Sequence, residues 1–148
     1  MKIQAAVTHA QGADFSIEEV TLSGPKSNEV LVKIVAAGVC HTDAVGRDLG
    51  VAPYPIVLGH EGSGVVQQIG ENVTSLAVGD HVVMSFAHCG QCENCLTGHP
   101  TVCSRFNELN FGGRMDDHTC RLHQGDTDVH TFFGQSSFGT PIVAHERN

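Results

Sequence analysis

The sequence predicts a mainly β domain, in the form of a partly open β-barrel with short helices. Glycine is abundant, with 17 among 148 residues, which indicates many turns. Short apolar runs alternate with turn signals along the chain, and no helical pattern of about 10–15 residues separates successive runs. A doubly wound parallel sheet is therefore not expected, and no G-x-G-x-x-G run follows a predicted strand.

The predicted elements follow one another without a repeat or a low-complexity segment. Five segments have the apolar content and alternation of strands: residues 2–7, 15–22, 29–36, 63–70 and 81–84. In the third, alternation places two sets of side chains on opposite faces: Val30, Val32 and Ile34 against Leu31, Lys33 and Val35. Residues 42–48 predict a short helix, and residues 94–97 predict a single helical turn. Residues 125–137 are polar and predict irregular structure, and no closing element is expected at residues 144–148.

The charge and hydropathy of the chain exclude several classes of partner. The net charge is −8, which opposes binding to the phosphates of nucleic acids. No apolar run approaches the ~20 residues that a membrane-spanning helix needs. The N-terminal run MKIQAAVTHA has no signal-peptide pattern, so we expect a cytoplasmic protein in a reducing compartment.

Four cysteines lie close together in the run HCGQCENCLTGHPTVC, with the spacing C-x2-C-x2-C-x7-C. Four thiolates at this spacing suit one tetrahedral zinc ion, and they leave no coordination position for a substrate. The sequence therefore predicts a structural zinc lobe at about residues 88–104. Its ligands are Cys89, Cys92, Cys95 and Cys103.

Three alternatives to zinc suit these cysteines less well. Disulfides suit an oxidising compartment, for which the chain has no signal. The bacterial ferredoxin pattern has its fourth cysteine three residues on, followed by proline, whereas seven residues intervene here and Ser104 follows. Unliganded thiols so closely grouped would be prone to oxidation. His88 and His99 flank the group and are alternative ligands, but four thiolates make them unnecessary.

A second group of candidate ligands combines two distant segments, residues 38–43 (GVCHTD) and 58–62 (LGHEG). Cys40 and His60 offer a thiolate and an imidazole to a metal, each just after an apolar strand-like run. Asp43 and Glu61 are carboxylates able to orient a ligating imidazole. Thr42 is a hydroxyl beside a ligand, in a position to pass a proton. Taken alone, a single cysteine or histidine is more often a buried structural residue than a ligand.

The run GHEGSGVVQQIGENV resembles the zinc signature of the medium-chain alcohol dehydrogenases. The matching positions are Gly59, His60, Glu61, Gly64, Gly70 and Val73. The GVCHTD run resembles the same family's first catalytic-zinc segment, the four-cysteine group its structural-zinc loop, and VGDHVV the strand before that loop. The CHTD form and the NFGGRM segment are most similar to the aryl- or benzyl-alcohol dehydrogenase branch. The resemblance implies a GroES-like domain.

The resemblance also implies roles for individual residues. Cys40 and His60 are implied as ligands of the catalytic zinc, and Glu61 as a carboxylate that approaches the metal. Thr42 is implied as the hydroxyl that relays the alcohol proton. His41 is implied both as a cofactor-phosphate contact and as the end of that relay. Two further positions are implied around these: Asp43 as the carboxylate behind the ligating histidine, and Phe86 in the alcohol pocket.

Members of this family continue into a Rossmann domain that binds NAD or NADP, and their third catalytic-zinc ligand is a cysteine beyond the barrel. No residue of this chain matches that ligand, and Cys120, in the expected strand HTCRL, is interpreted as a small buried apolar residue.

Residues 1–148 are therefore expected to be the N-terminal catalytic domain of an alcohol dehydrogenase. The parent enzyme is expected to be a homo-oligomer that oxidises small alcohols to aldehydes, and this part alone is expected to be inactive. A non-catalytic zinc-stabilised barrel that acts through protein contacts is the alternative; a zinc ribbon that binds nucleic acid is disfavoured by the charge.

Overall fold

The computed structural model describes all 148 residues as a mainly β domain with three short helices. The ten strands are β1 (Lys2–Thr8), β2 (Ser16–Leu22), β3 (Glu29–Gly38), β4 (Ile56–Val57), β5 (Glu61–Ile69), β6 (His81–Val83), β7 (Leu122–Gln124), β8 (Thr127–Thr131), β9 (Gly139–Thr140) and β10 (Ile142–His145). The helices are α1 (His41–Asp48), α2 (Glu93–Leu96) and α3 (Phe106–Phe111), with a 3-10 turn at Pro100–Val102. No helix is long and apolar enough to cross a membrane.

The strands form two sheets. In the first, β1, β2, β7, β8 and β4 pair in a closed circuit, and β9 adds to β1. The second has the order β10-β3-β5-β6. The pairing of β4 with β8 is parallel, and the other pairings are antiparallel. The predicted mainly β fold, a partly open barrel with short helices, is confirmed.

Two apolar clusters fill the interior, and β3 contributes to both because its side chains alternate. Leu31 packs in the cluster inside the first sheet, beside Val7 and Leu122. Val30 and Val32 pack in a second cluster against Val66 and other residues of the second sheet. The predicted division of the β3 side chains into two faces is therefore confirmed for its buried half. Beyond Val32 the strand becomes mostly exposed, and Val35 is 71% exposed.

Two sequence predictions about the second half of the chain are wrong. Residues 125–137 are not irregular throughout, because Thr127–Thr131 forms β8, which pairs with β7 and β4. The chain end does contain a closing element, because Ile142–His145 forms β10 along β3. β10 pairs with β3, which lies far away in sequence, so the local pattern carried little information about that strand. β8 pairs both with β7, immediately before it, and with the distant β4, and the polar composition of residues 125–137 did not indicate this hairpin.

A buried ion pair joins the two sheets near the start of β3. The guanidinium of Arg121, just before β7, donates from Nε to Glu29 Oε2 over 2.9 Å, and both side chains are almost completely buried. Asp117 accepts a further bond from Arg121 over 2.9 Å. Since removing one partner would leave a buried charge without compensation, this network fixes how β3 meets the end of the barrel.

Candidate metal centres

The four predicted lobe cysteines converge on one point, with all sulfur atoms within 4.8 Å of one another. The Sγ–Sγ distances are 3.9 Å for Cys89–Cys95, 3.5 Å for Cys92–Cys95 and 4.0 Å for Cys92–Cys103. A tetrahedral zinc with Zn–S bonds of about 2.3 Å separates its sulfur ligands by about 3.8 Å. The geometry therefore fits a structural zinc, as the sequence predicted.

Backbone amides stabilise negative charge on these sulfurs. Cys92 N–H donates to Cys89 Sγ over 3.3 Å, and Arg105 N–H donates to Cys103 Sγ over 3.4 Å. Hydrogen bonding from the backbone of Ser104 is the main cause that lowers the pKa of Cys92 to about 5. Desolvation raises the pKa of Cys95 to about 12. A bound cation therefore has to displace the proton of Cys95.

The lobe is attached to the rest of the domain by a buried amide that sequence reasoning missed. Asn110 of α3 is fully buried, and its Oδ1 accepts a hydrogen bond from Ala87 N–H over 2.9 Å. Its Nδ2 donates to the carbonyl oxygens of Ala87 (2.9 Å) and Phe106 (2.7 Å). The side chain thus joins the helix that follows Cys103 to the segment that enters the lobe.

The second pair of candidate ligands also meets, although its members come from different elements. Cys40 lies between β3 and α1, and His60 lies just before β5. Their Sγ and Nε2 atoms are 3.1 Å apart. A tetrahedral zinc bound to both would separate these atoms by about 3.6 Å, so a small outward movement would admit the ion.

Cys40 is the N-cap of α1, and this explains where its thiol points. Its Sγ accepts a hydrogen bond from Thr42 N–H over 3.3 Å, while Asp43 Oδ2 accepts one from Cys40 N–H over 3.1 Å. The two contacts form a capping box in which cysteine takes the place of the usual serine or threonine. The CHTD run therefore both starts the helix and directs the sulfur towards His60.

Asp43 is buried behind His60 and orients its ring. Its Oδ1 accepts from Gly59 N–H over 3.0 Å and lies 3.1 Å from His60 Nδ1. Because a carboxylate only accepts, the contact assigns the ring proton to Nδ1 and leaves the Nε2 lone pair directed at Cys40. Asp43 lies within ligand distance of the pair, but its oxygens are already used by these donors, so it is a positioning residue.

The remaining predicted residues lie around this pair. Glu61 is largely exposed, and its Oε1 is 3.9 Å from His60 Nε2. His41 is exposed on the first turn of α1, and Thr42 is half-buried next to it. Cys120 is buried, as expected, with its Sγ 3.8 Å from Gly113 O. The strand expected at HTCRL begins only at Leu122, so Cys120 lies just before β7. It belongs to neither group of metal ligands.

An open, mainly apolar cleft of about 450 Å³ begins at Thr42. It is also lined by Val45, Val51, Asn107 and Phe111. Phe111 contacts Phe133, with ring centroids 5.2 Å apart. Phe133 in turn lies 4.8 Å from the His60 ring. Phe111 and Phe133 thus connect the cleft to the His60 ring, while Thr42 places the cleft beside Cys40.

Phe86 lies away from this cleft, against Phe106 at a centroid distance of 5.6 Å and near His88. The aromatic rings that contact His60 are instead those of Phe132 and Phe133, which sequence reasoning did not select. The signal that could have identified them is the adjacent FF pair inside an otherwise polar segment. Gln135, three residues after Phe132, is also buried beside the site and was missed.

Comparison with known proteins places the chain in a family. Residues 26–146 match the alcohol dehydrogenase GroES-like domain. The chain is 51% identical to a geraniol dehydrogenase from Castellaniella defragrans, over 98% of this chain and 39% of that protein. The chain belongs to the alcohol dehydrogenase GroES-like domain family.

Two solved structures have the same fold over the whole chain. One is an alcohol dehydrogenase zinc-binding domain protein from Burkholderia ambifaria, with a TM-score of 0.96 and 46% identity; the match covers 41% of that protein. The other is a benzyl alcohol dehydrogenase from Acinetobacter calcoaceticus, with a TM-score of 0.93 and 47% identity; the match covers 40% of that protein. The chain spans about two fifths of the length of each relative.

Proposed function

We propose that this chain is the zinc-binding catalytic domain of an NAD(P)-dependent alcohol dehydrogenase. The observation that carries the proposal is the Cys40–His60 pair, oriented by buried Asp43, beside an apolar cleft that Thr42 lines. The relatives are named for geraniol and benzyl alcohol. Aryl or other primary alcohols are accordingly the proposed substrates, with aldehydes as products.

In this proposal Cys40 and His60 hold the catalytic zinc, and Glu61 is near enough to approach it when ligands exchange. Zinc bound there supplies Lewis acidity that favours loss of the alcohol's hydroxyl proton. The half-buried hydroxyl of Thr42, at the edge of the cleft, accepts that proton. The exposed imidazole of His41 passes it to solvent and also contacts cofactor phosphate.

The hydride acceptor is a nicotinamide, which carries the redox chemistry. Residues 1–148 form the GroES-like catalytic domain, with the structural-zinc lobe at about residues 88–104. The cofactor domain and the third protein ligand of the catalytic zinc, a cysteine thiolate, are proposed to lie outside these residues. The parent enzyme is proposed to be a cytoplasmic homo-oligomer, with neither nucleic acid nor membrane as a partner.

A chimaera tests this proposal directly. Residues 1–148 would be fused to the remaining part of the Acinetobacter calcoaceticus benzyl alcohol dehydrogenase, whose matching region has the same fold. We expect cofactor-dependent oxidation of benzyl alcohol, a decrease of at least about 100-fold with Thr42→Val, and no turnover with Cys40→Ser. The matched control is Ser63→Ala, a hydroxyl on the exposed face of β5 that bonds only Ala36 O.

Zinc content and folding would be measured on every variant. A folded, zinc-loaded chimaera without turnover would contradict the proposal and would favour the non-catalytic barrel. Turnover that survives Cys40→Ser would contradict the assignment of the catalytic ligands.

A further inference from the structure

Gln135 is a fully buried amide in the loop between β8 and β9, and all of its hydrogen-bonding atoms are used. Its Nε2 donates to His60 O over 3.0 Å and to Ser85 O over 2.8 Å. Its Oε1 accepts from Gly62 N–H over 3.2 Å. One side chain therefore holds the backbone immediately before and after Glu61 and ties it to the segment that leads into the zinc lobe.

The packing around Gly62 fixes which residue of β5 faces Gln135. A Cβ atom on Gly62 would lie 2.7 Å from Ser137 Cβ and 3.2 Å from Gln135 Oε1. Only a residue without a side chain fits against the loop at that point. Since alternate residues of a strand point to opposite faces, the fixed inward position of Gly62 directs Glu61 outward. In that position Glu61 Oε1 lies 3.9 Å from His60 Nε2.

Gln135 and Asp43 act on different parts of the same histidine. Asp43 Oδ1 contacts the ring at Nδ1, over 3.1 Å. Gln135 holds the carbonyl of the same residue, over 3.0 Å. A ring oriented by one contact alone could still move with its backbone, whereas the two contacts together restrict both ring rotation and main-chain position.

We propose that Gln135 is a positioning residue for the catalytic metal site, holding the His60–Glu61–Gly62 backbone so that His60 Nε2 faces Cys40. This inference rests on the proposed function for its metal, but the orientation of the imidazole is measurable without any metal. A residue that served only general stability would change unfolding and leave the ring of a folded chain unaltered.

The test compares Gln135→Met and Gln135→Asn with the unmodified chain. Gln135→Met keeps the length of the side chain and removes its polar atoms. Gln135→Asn keeps the amide on a side chain that is one methylene shorter. Gln68→Met is the matched control, because Gln68 is exposed on the same strand as Glu61. Each chain is labelled with ¹⁵N-histidine and loaded with one zinc per chain in the lobe, and the His60 signal is assigned with His60→Gln.

The spectra are recorded at pH 8. In the unmodified and control chains we expect a single tautomer of His60, with the proton at Nδ1 beside Asp43. Both Gln135 variants are expected to show a mixture of tautomers, while their lobe zinc is retained. The Gly62 N–H is expected to exchange slowly in the unmodified chain and at least tenfold faster in the variants. Cobalt(II), added as the probe of the second site, is expected to bind the variants at least tenfold more weakly, as judged by the Cys40-dependent absorption band.

A folded Gln135 variant with the same His60 tautomer and Gly62 exchange as the control would overturn the proposal. Fast Gly62 exchange in the unmodified chain would do the same, even if neither variant folded. If the unmodified chain gives no Cys40-dependent cobalt band, Cys40 and His60 alone do not hold a metal, and the chimaera decides the proposed function. The tautomer and exchange measurements still decide the role of Gln135.

Discussion

The two metal centres of this domain are assembled in opposite ways. In the lobe, the four sulfur ligands come from fifteen consecutive residues, and backbone amides of the same loop donate to them. In the second centre, Cys40 and His60 come from different elements and depend on Asp43 and Gln135 for their positions. A local site therefore stabilises the fold around it, whereas the distant pair depends on the fold.

Removal of a lobe ligand is expected to have the largest effect. Cys92→Ser should release the zinc and lower the free energy of unfolding by at least about 4 kcal/mol, because binding energy in a structural zinc site contributes directly to folding. Unfolding in guanidinium, zinc content and limited proteolysis within residues 88–104 measure the change. Cys120→Ala is the control, since its buried thiol belongs to no ligand group, and it should keep full zinc. Full zinc and unchanged protease resistance in Cys92→Ser would refute the lobe assignment.

Acidification is expected to have the second-largest effect, because it lowers the affinity of the lobe for zinc. Backbone hydrogen bonding from Ser104 lowers the pKa of Cys92 to about 5, so that its thiolate exists above about pH 5, while desolvation raises the pKa of Cys95 to about 12. Protons compete with zinc for both sulfurs, so zinc affinity falls as pH falls and the associated stability is lost in the same direction. A chromogenic zinc indicator, read between pH 8 and pH 4, follows the release. Zinc retention independent of pH over this range would contradict the thiolate assignment.

Metal loading of the second centre is expected to be weak in residues 1–148. Cys40 and His60 supply two strong ligands, and a catalytic zinc has three protein ligands and a water molecule. Elemental analysis after dialysis should give about one zinc per chain, and Cys40→Ser should not change that number. Asp43→Asn should weaken cobalt(II) binding at this centre by about tenfold, because the ring loses its carboxylate partner. Two tightly held zinc ions per chain, with Cys120 seen by anomalous diffraction as a ligand of one, would overturn the expected weak loading. The same result would overturn the interpretation of Cys120 as a buried apolar residue.

The last prediction is that residues 1–148 alone give no detectable binding of a dinucleotide. Hydride transfer needs the nicotinamide about 3–3.5 Å from the alcohol carbon, and such positioning can lower the barrier by ~7–11 kcal/mol. The sheets here are antiparallel except for the two-residue pairing of β4 with β8, and the chain has no G-x-G-x-x-G turn. Calorimetry with NAD or NADP should detect no heat of binding, and benzyl alcohol oxidation should stay at background. Turnover by residues 1–148, abolished by Cys40→Ser, would reveal a cofactor site within them.

The same contrast explains what could be predicted from the sequence. The lobe was predictable because its ligands and their spacing are local, and the Cys40–His60 pair was predictable from two motifs. Gln135 was not, because its amide is buried and fully hydrogen-bonded only when two distant segments, residues 60–62 and Ser85, meet it. The strand at Ile142–His145 was missed for a related reason, since its partner β3 lies more than a hundred residues earlier.

The cap of α1 has a practical consequence for how the chemistry of this domain is dissected. Cys40 Sγ both accepts the Thr42 N–H that begins the helix and faces the imidazole. Alanine at this position would delete the cap and the ligand together, and a loss of activity would then have two causes. Serine, a favoured capping residue, retains an acceptor for the helix while replacing the soft sulfur. Comparison of the two substitutions therefore separates the contribution of a helix start from that of a metal–thiolate bond, at a single atom.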